Sequence, residues 1–127
     1  MIRKHDELFC HQAVSTFDTP GTSAREWTER AWAQVHDTKG TAHLAAGFGF
    51  YPNRNIMDAF VCFTIQDQKQ YIVRASRELR PDIDVNQVGP FAYKCVEPLT
   101  KVRFTLEEND YGLSYDITVQ GLSLIHI

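Results

Sequence analysis

The sequence predicts a mainly β fold, in which an antiparallel meander forms a half barrel or a curved sheet. Apolar and polar residues alternate along several short runs, which is the pattern of a strand with one buried face. Gly, Pro, Asn and Asp separate these runs at short intervals and supply the turns. No run has the apolar periodicity of a long helix. Consecutive strands are therefore expected to pair as antiparallel hairpins.

Length and charge limit the classes of protein that fit this chain. Its 127 residues are enough for one domain, and a hydrophobic content of 43% is enough to build a core. A formal net charge of −3 argues against a dedicated nucleic-acid-binding protein, which would carry a basic excess. No apolar run approaches the roughly 18–20 residues that cross a bilayer, so we expect no membrane span.

The first 28 residues are predicted to form an irregular segment, because residues 15–23 are rich in turn formers. Ser23, with Glu26 three residues later, has the spacing of a capping box and predicts a short helical turn over residues 23–28. The N-terminus lacks the apolar stretch of a secretory signal. The three cysteines have no CxxC spacing and fit reduced thiols, so we expect a cytoplasmic protein.

Seven strands follow, and each of them ends at a turn signal. They are predicted over residues 29–37, 41–51, 56–67, 70–78, 91–97, 101–108 and 113–120. Gly47 and Gly49 in the second strand indicate a bulge, a bend or the close approach of another backbone. Residues 79–90 contain two prolines and one glycine, and we expect them to form a long loop.

The third and fourth strands are predicted to form a tight hairpin that turns at Gln68 and Lys69. Matching the apolar faces of the two strands places Ile65 opposite Val73. That register gives the further pairs Thr64–Arg74, Cys62–Ser76 and Asp58–Arg80. Asp58, Cys62, Arg74 and Ser76 then lie on one side of the ribbon, where a curved sheet could use them to line a cavity. The alternatives are an Arg–Asp network that fixes the register, or a solvent-exposed face.

Two short motifs resemble ligand loops but lack residues that those loops require. Residues 82–86 supply the first three ligand positions of a calcium loop. Gln87 then occupies the position of the essential glycine, and Tyr93 that of the bidentate glutamate. Gly47 and Gly49 are not followed by the third glycine and the helix of a dinucleotide-binding motif. We therefore expect no cofactor.

The histidines are expected to be surface or hydrogen-bonded residues. A three-residue loop over residues 38–40 would pair Asp37 with Thr41 at the end of the first hairpin. His36 and His43 would then lie on opposite faces of the sheet, where they cannot share a metal ion. We accordingly predict no metal site.

Short segments spread over residues 6–121 carry a resemblance to a known family. They are Asp6-Glu7-Leu8 with His11-Gln12, Trp27-Thr28-Glu29-Arg30, Tyr51-Pro52-Asn53-Arg54-Asn55-Ile56-Met57-Asp58, Val73-Arg74-Ala75-Ser76-Arg77, Leu79-Arg80-Pro81-Asp82, Val88-Gly89-Pro90, Glu97-Pro98-Leu99 and Leu106-Glu107 with Asn109. In them the chain resembles uncharacterised bacterial domains that form the N-terminal half of a two-part protein. It is more distantly similar to the lipocalin-like β architecture of the carotenoid hydratases. The resemblance implies a lipocalin-like fold and a second domain as partner.

Six residues are candidates for contact with a small molecule. They are Tyr51, Arg54, Asn55, Asp58, Arg74 and Ser76. The leading hypothesis is that the sheet binds a hydrophobic, anionic small molecule, such as a lipid or an isoprenoid, because arginine suits a carboxylate. One alternative is a hydratase or isomerase that acts on such a ligand, with Asp58 as the general acid. Another alternative is a non-catalytic interaction domain.

The last six residues, 122–127, read Leu-Ser-Leu-Ile-His-Ile and resemble a translated sequencing adapter. The other interpretation is an ordinary terminal strand with a buried histidine. On the adapter interpretation, the natural sequence ends at Gly121, and residues 29–121 form an incomplete antiparallel domain. We then expect an open edge strand over residues 113–120, and an isolated chain that is poorly soluble or oligomeric.

Overall fold

The computed structural model describes residues 22–66, 68–79 and 85–121, and its fold is mainly β, as the sequence predicts. These residues include eight strands and one short 3-10 helix. They are β1 (Glu29–His36), β2 (Ala42–Tyr51), η1 (Pro52–Arg54), β3 (Ile56–Ile65), β4 (Gln70–Glu78), β5 (Gln87–Val88), β6 (Phe91–Glu97), β7 (Lys101–Leu106) and β8 (Tyr115–Gln120). The predicted irregular segment up to residue 21 and the hexapeptide 122–127 lie outside the described residues.

The strands form two antiparallel meanders of four strands each, and the described residues form no closed barrel. The first sheet has the order β1-β2-β3-β4, and the second has the order β5-β6-β7-β8. Strand β5 falls inside the predicted long loop, so that part of the prediction is wrong. Val88 is completely buried and pairs with Phe91 across a turn at Gly89 and Pro90. A strand of two residues is too short to show an alternating pattern in the sequence.

The two sheets pack face to face through aromatic side chains. Phe48 of β2 lies at the centre, and its ring centroid is 6.5 Å from that of Phe91, 6.0 Å from that of Tyr93 and 6.3 Å from that of Phe104. All four residues are buried. Because these rings fill the space between the sheets at this level, the core is made of side chains from both inner faces.

Arg77 connects the end of the first sheet to the beginning of the second. Its guanidinium donates hydrogen bonds to the carbonyl oxygens of Val85, at 2.8 Å, and Gln87, at 2.5 Å. It also donates to the carbonyl of Glu78 at 2.6 Å. These carbonyls belong to the residues around the crossing between the sheets, so Arg77 has a structural role there.

The first hairpin differs from the predicted one, and the difference brings two histidines together. The structure pairs His36 directly with His43. The Asp37 carboxylate accepts hydrogen bonds from the backbone N–H groups of Thr41, at 2.6 Å, and Ala42, at 3.0 Å. These bonds hold a loop of four residues, where three were predicted. The placement of the two histidines on opposite faces is therefore wrong, because one extra loop residue moves His43 to the other face.

The β3–β4 hairpin also has a register other than the predicted one. Val61 lies opposite Val73, where Ile65 was expected. Thr64 and Gln70 form the last pair before the turn. The pairing is therefore shifted by four residues, an even number, which leaves every side chain on its predicted face. The pairs expected for Thr64, Cys62 and Asp58 are wrong, although the shared face is correct; Arg80 lies outside the described residues.

The predicted helical turn after residue 22 is a single hydrogen-bonded turn in the structure. The backbone N–H of Trp27 donates to the carbonyl of Ala24 at 3.1 Å. The side chain that accepts a bond here belongs to Thr22, whose hydroxyl oxygen lies 3.1 Å from the backbone nitrogen of Ala24. The predicted cap at Ser23 is therefore not the acceptor, since Thr22 reaches the N–H two residues ahead.

Candidate functional site

The side chains of alternate residues in β1–β4 form a surface that points away from the second sheet. We call this surface the outer face. It consists of Arg30, Trp32, Gln34 and His36 of β1, His43, Ala45, Gly47 and Gly49 of β2, Asp58, Phe60, Cys62 and Thr64 of β3, and Gln70, Ile72, Arg74 and Ser76 of β4. The intervening residues face the core, where Phe48, Ala59 and Val73 are buried.

A depression of about 610 Å³ lies on the outer face where β3 and β4 pair. It is lined by Asp58, Ala59, Phe60, Arg74, Ala75 and Ser76. Asp58 lies directly opposite Ser76, and Phe60 lies directly opposite Arg74. Three of the six predicted site residues, Asp58, Arg74 and Ser76, therefore come together around this depression. The site is on the outside of the sheet, because the aromatic core occupies the other side.

Tyr51 joins a second group of polar side chains next to the depression. The Arg30 guanidinium donates a hydrogen bond of 2.7 Å to the Tyr51 hydroxyl, and its central carbon lies 5.6 Å from the centre of the ring. Burial and the nearby negative charge of Asp58 raise the pKa of Tyr51 above its ordinary value, whereas Arg30 lowers it. The Tyr51 hydroxyl thus interacts with both the Arg30 guanidinium and the Asp58 carboxylate.

The two glycines of β2 allow side chains to lie directly over the strand. A Cβ atom on Gly49 would clash with Oδ1 of Asp58 and lie 2.7 Å from the hydroxyl oxygen of Tyr51. A Cβ atom on Gly47 would lie 2.7 Å from Cε1 of Phe60. The pairing of β2 with β3 is continuous, without a bulge. The sequence predicted a bulge, a bend or the approach of another backbone, whereas the atoms nearest to these glycines belong to side chains.

Arg54 and Asn55, the other two predicted site residues, are not in the depression. Arg54 Nε donates to the carbonyl of Arg25 at 3.1 Å and so holds the segment before β1. Asn55 adopts a left-handed backbone with φ 56°, and its N–H bonds to the carbonyl of Pro52 at 3.1 Å. Its own carbonyl accepts from the N–H of Leu79. Both residues shape the η1 turn.

Large apolar side chains on the outer face are the part of the site that sequence reasoning missed. Trp32 is 63% exposed, Ile72 is 49% exposed and Phe60 is 37% exposed. The available signal was Trp32 itself, since a large aromatic side chain is unusual on the solvated face of a strand whose neighbouring positions, Ala31 and Ala33, pack against the core.

The described residues contain no group of three or more His, Cys, Asp and Glu side chains arranged to hold a metal ion. His36 and His43, which the register places opposite each other, supply two imidazoles. Zinc sites, for which imidazole is a common ligand, use three or four protein ligands. The described residues also include no helix long and apolar enough to cross a membrane.

A family model matches residues 2–123 of the chain, and its description is a family of unknown function, DUF8625. Comparison with the curated proteins and with the solved structures finds no match. The lipocalin-like likeness, the second domain and the adapter origin of the last six residues therefore stay predictions.

Proposed function

The chain belongs to the DUF8625 family of unknown function, and we propose that it binds a hydrophobic, anionic small molecule on the outer face. The observation that carries the proposal is the depression between β3 and β4, which combines the Phe60 ring with the Arg74 guanidinium. An apolar surface beside one well-placed cation is the usual composition of a site for an amphipathic anion.

The charge balance of the site favours an anion. Asp58 and Arg30 have opposite charges and both act on the Tyr51 hydroxyl, so each charge partly offsets the other. Arg74, by contrast, forms no hydrogen bond or ion pair with any of the described residues. Its guanidinium is therefore available to a carboxylate, which it can bind through two parallel hydrogen bonds.

Exposed apolar side chains beside Arg74 offer a surface that the apolar part of the ligand can bury. Phe60 lines the depression. Ile72 lies two residues before Arg74 in β4 and therefore on the same face. Burying apolar surface is worth about 25 cal/mol per Å². A ligand with an acyl or isoprenoid chain would remove these side chains from water, and such burial would supply most of its affinity.

We assign no reaction to this site. A general acid requires a carboxyl group held away from water. Asp58 is only half-buried, and it lies beside an open depression on the surface of a sheet. The hydratase or isomerase hypothesis therefore has less support than binding alone. A role as an interaction domain would use the same exposed apolar residues and is tested by the same experiment.

Isothermal titration calorimetry with dodecanoate tests the proposal. We expect saturable binding to the wild-type protein, and a loss of at least about tenfold in affinity for Arg74→Gln, because a charge-assisted hydrogen bond is worth roughly 1.5–3 kcal/mol. Arg103→Gln is the matched control. Arg103 is an exposed strand arginine of the second sheet, paired with Asp116, and its replacement changes the net charge equally.

The two variants separate a specific site from general attraction. Equal losses in Arg74→Gln and Arg103→Gln would show that only net charge matters and would contradict a site at Arg74. The absence of any binding by the wild-type protein would refute the proposed function and favour an interaction domain. Circular dichroism of both variants checks that each retains its β structure.

A further inference from the structure

One row of residues crosses all four strands of the first sheet and changes from charged to apolar along its length. Arg74 of β4 lies opposite Phe60 of β3, Phe60 lies opposite Gly47 of β2, and Gly47 lies opposite Trp32 of β1. We call these four residues the transverse row. It has a guanidinium at one end and an indole that is 63% exposed at the other.

The two middle residues of the transverse row, Phe60 and Gly47, form an apolar surface that stays close to the backbone of the sheet. Gly47 has no side chain, and the space that its Cβ would occupy lies only 2.7 Å from Cε1 of Phe60. The Phe60 ring therefore extends from β3 over the backbone of β2. It forms an apolar bridge between the depression and Trp32, at a position where any larger residue than glycine would force the ring away.

The two neighbouring rows have different polarity. The row on one side consists of Arg30, Gly49, Asp58 and Ser76, and the row on the other side consists of Gln34, Ala45, Cys62 and Ile72. The first of these is charged and occupied by the contacts around Tyr51. An apolar chain that leaves Arg74 therefore finds its most favourable surface over Phe60 and toward Trp32, with Ile72 at its flank.

We infer that the ligand lies across the strands along the transverse row, as an unbranched monocarboxylate with its head at Arg74 and its tail at Trp32. This inference rests on the proposed function and adds the class and the orientation of the ligand. Three spacings between neighbouring strands cover about 14 Å. A medium-length acyl chain, such as that of dodecanoate, spans this distance when it is extended, whereas a longer chain would extend past β1, the last strand of this sheet among the described residues.

Fluorescence quenching by brominated fatty acids tests the orientation, because bromine quenches an indole only at close range. We expect 12-bromododecanoate to quench the wild-type protein and 2-bromododecanoate to quench it much less. The Trp32→Phe variant retains Trp27, which packs against the core, and we expect the quenching to be lost in it. In a series of saturated acids, affinity should rise by at most about fourfold per methylene up to dodecanoate and then level off.

The outcomes distinguish this inference from the proposed function. Equal quenching by the two bromo acids, or quenching that persists in Trp32→Phe, would overturn the transverse orientation. Calorimetric binding that depends on Arg74 would leave the proposed function intact in that case. If dodecanoate gives no heat of binding with the wild-type protein, both the proposed function and the orientation fail.

Discussion

Tyr115 illustrates how a single side chain can reduce the stability of this fold. Its hydroxyl oxygen is buried and has no hydrogen-bond partner among the described residues. The residue contributes to the packing between the sheets together with other partly buried side chains of β8. Burial alone raises the pKa of its hydroxyl well above the ordinary value of 10.0. A buried hydroxyl without a partner costs free energy in the folded state.

Replacing Tyr115 by Phe is therefore predicted to stabilise the protein by about 1 kcal/mol at neutral pH, because it removes an unsatisfied buried polar atom and keeps the ring. Urea denaturation measures the change. Tyr111→Phe is the control, since Tyr111 is 63% exposed and should change stability by less than about 0.5 kcal/mol. Destabilisation by Tyr115→Phe would show that the hydroxyl is satisfied.

The same variant should change the alkaline limit of stability. The folded-state pKa of Tyr115 is raised, so the unfolded chain ionises first as the pH passes 10. Ionisation of the unfolded chain alone therefore lowers the free energy of unfolding as the pH rises above 10 toward the folded-state pKa, and it has no effect below that range. Tyr115→Phe should lack this loss, whereas Tyr111→Phe should retain it.

At the scale of the elements, the sequence predicts every strand except the two-residue β5, but it does not predict how the strands of the first sheet pair. The alternation gives β4 and β6 with the same bounds that the structure shows. Both hairpin registers that the sequence predicted are wrong, because loop length depends on side-chain contacts such as those of Asp37, which no periodicity reveals.

Whether a register error is an even or an odd number of residues determines if the predicted face of each side chain is still correct. The four-residue shift of β3 against β4 is even, so Asp58, Arg74 and Ser76 share a face despite the wrong pairs. The one-residue difference in the first hairpin is odd and moves His43 to the face of His36. The place of Trp32 opposite Gly47 could not be predicted from the sequence, because it follows only from the true register.

A cysteine pair can test the β3–β4 register. The structure places Cys62 opposite Ile72, whereas matching of the apolar faces predicted that it lies opposite Ser76. We expect Ile72→Cys to form a disulfide with Cys62 under mild oxidation, because directly opposite residues on neighbouring strands lie within reach of such a bond. Non-reducing peptide mapping identifies the bond. Ser76→Cys is the matched control, and a disulfide in that variant alone would contradict the observed register.

At the scale of the whole molecule, the first sheet separates a packed interior from the outer face, where we propose the binding site. Phe48 contacts rings from β6 and β7 and thus ties the first sheet to the second. Phe60 lies on the neighbouring strand β3, next to the residue that pairs with Phe48, but it faces outward and is 37% exposed. The two phenylalanines therefore have different roles although both lie in the same sheet.

Replacing each of these phenylalanines by alanine should separate stability from binding. Phe48→Ala is predicted to lower the free energy of unfolding by about 3–5 kcal/mol, because it leaves a cavity between the sheets. Phe60→Ala should cost only about 1 kcal/mol, since the side chain is partly solvated, but it should weaken the binding of dodecanoate. Chemical denaturation and calorimetry measure the two effects. Similar losses of stability would contradict the packing described for Phe48.

An NMR titration of the isotope-labelled protein with dodecanoate tests most directly whether the ligand binds on the outer face. We expect progressive shifts in the Trp32 indole and Ile72 methyl signals, together with the Arg74 side chain. The ring signals of Phe91 and Phe104, which lie between the sheets, should stay constant. Shifts confined to the interior rings, with none at Trp32 or Ile72, would show that the ligand enters the core and would contradict a site on the exterior.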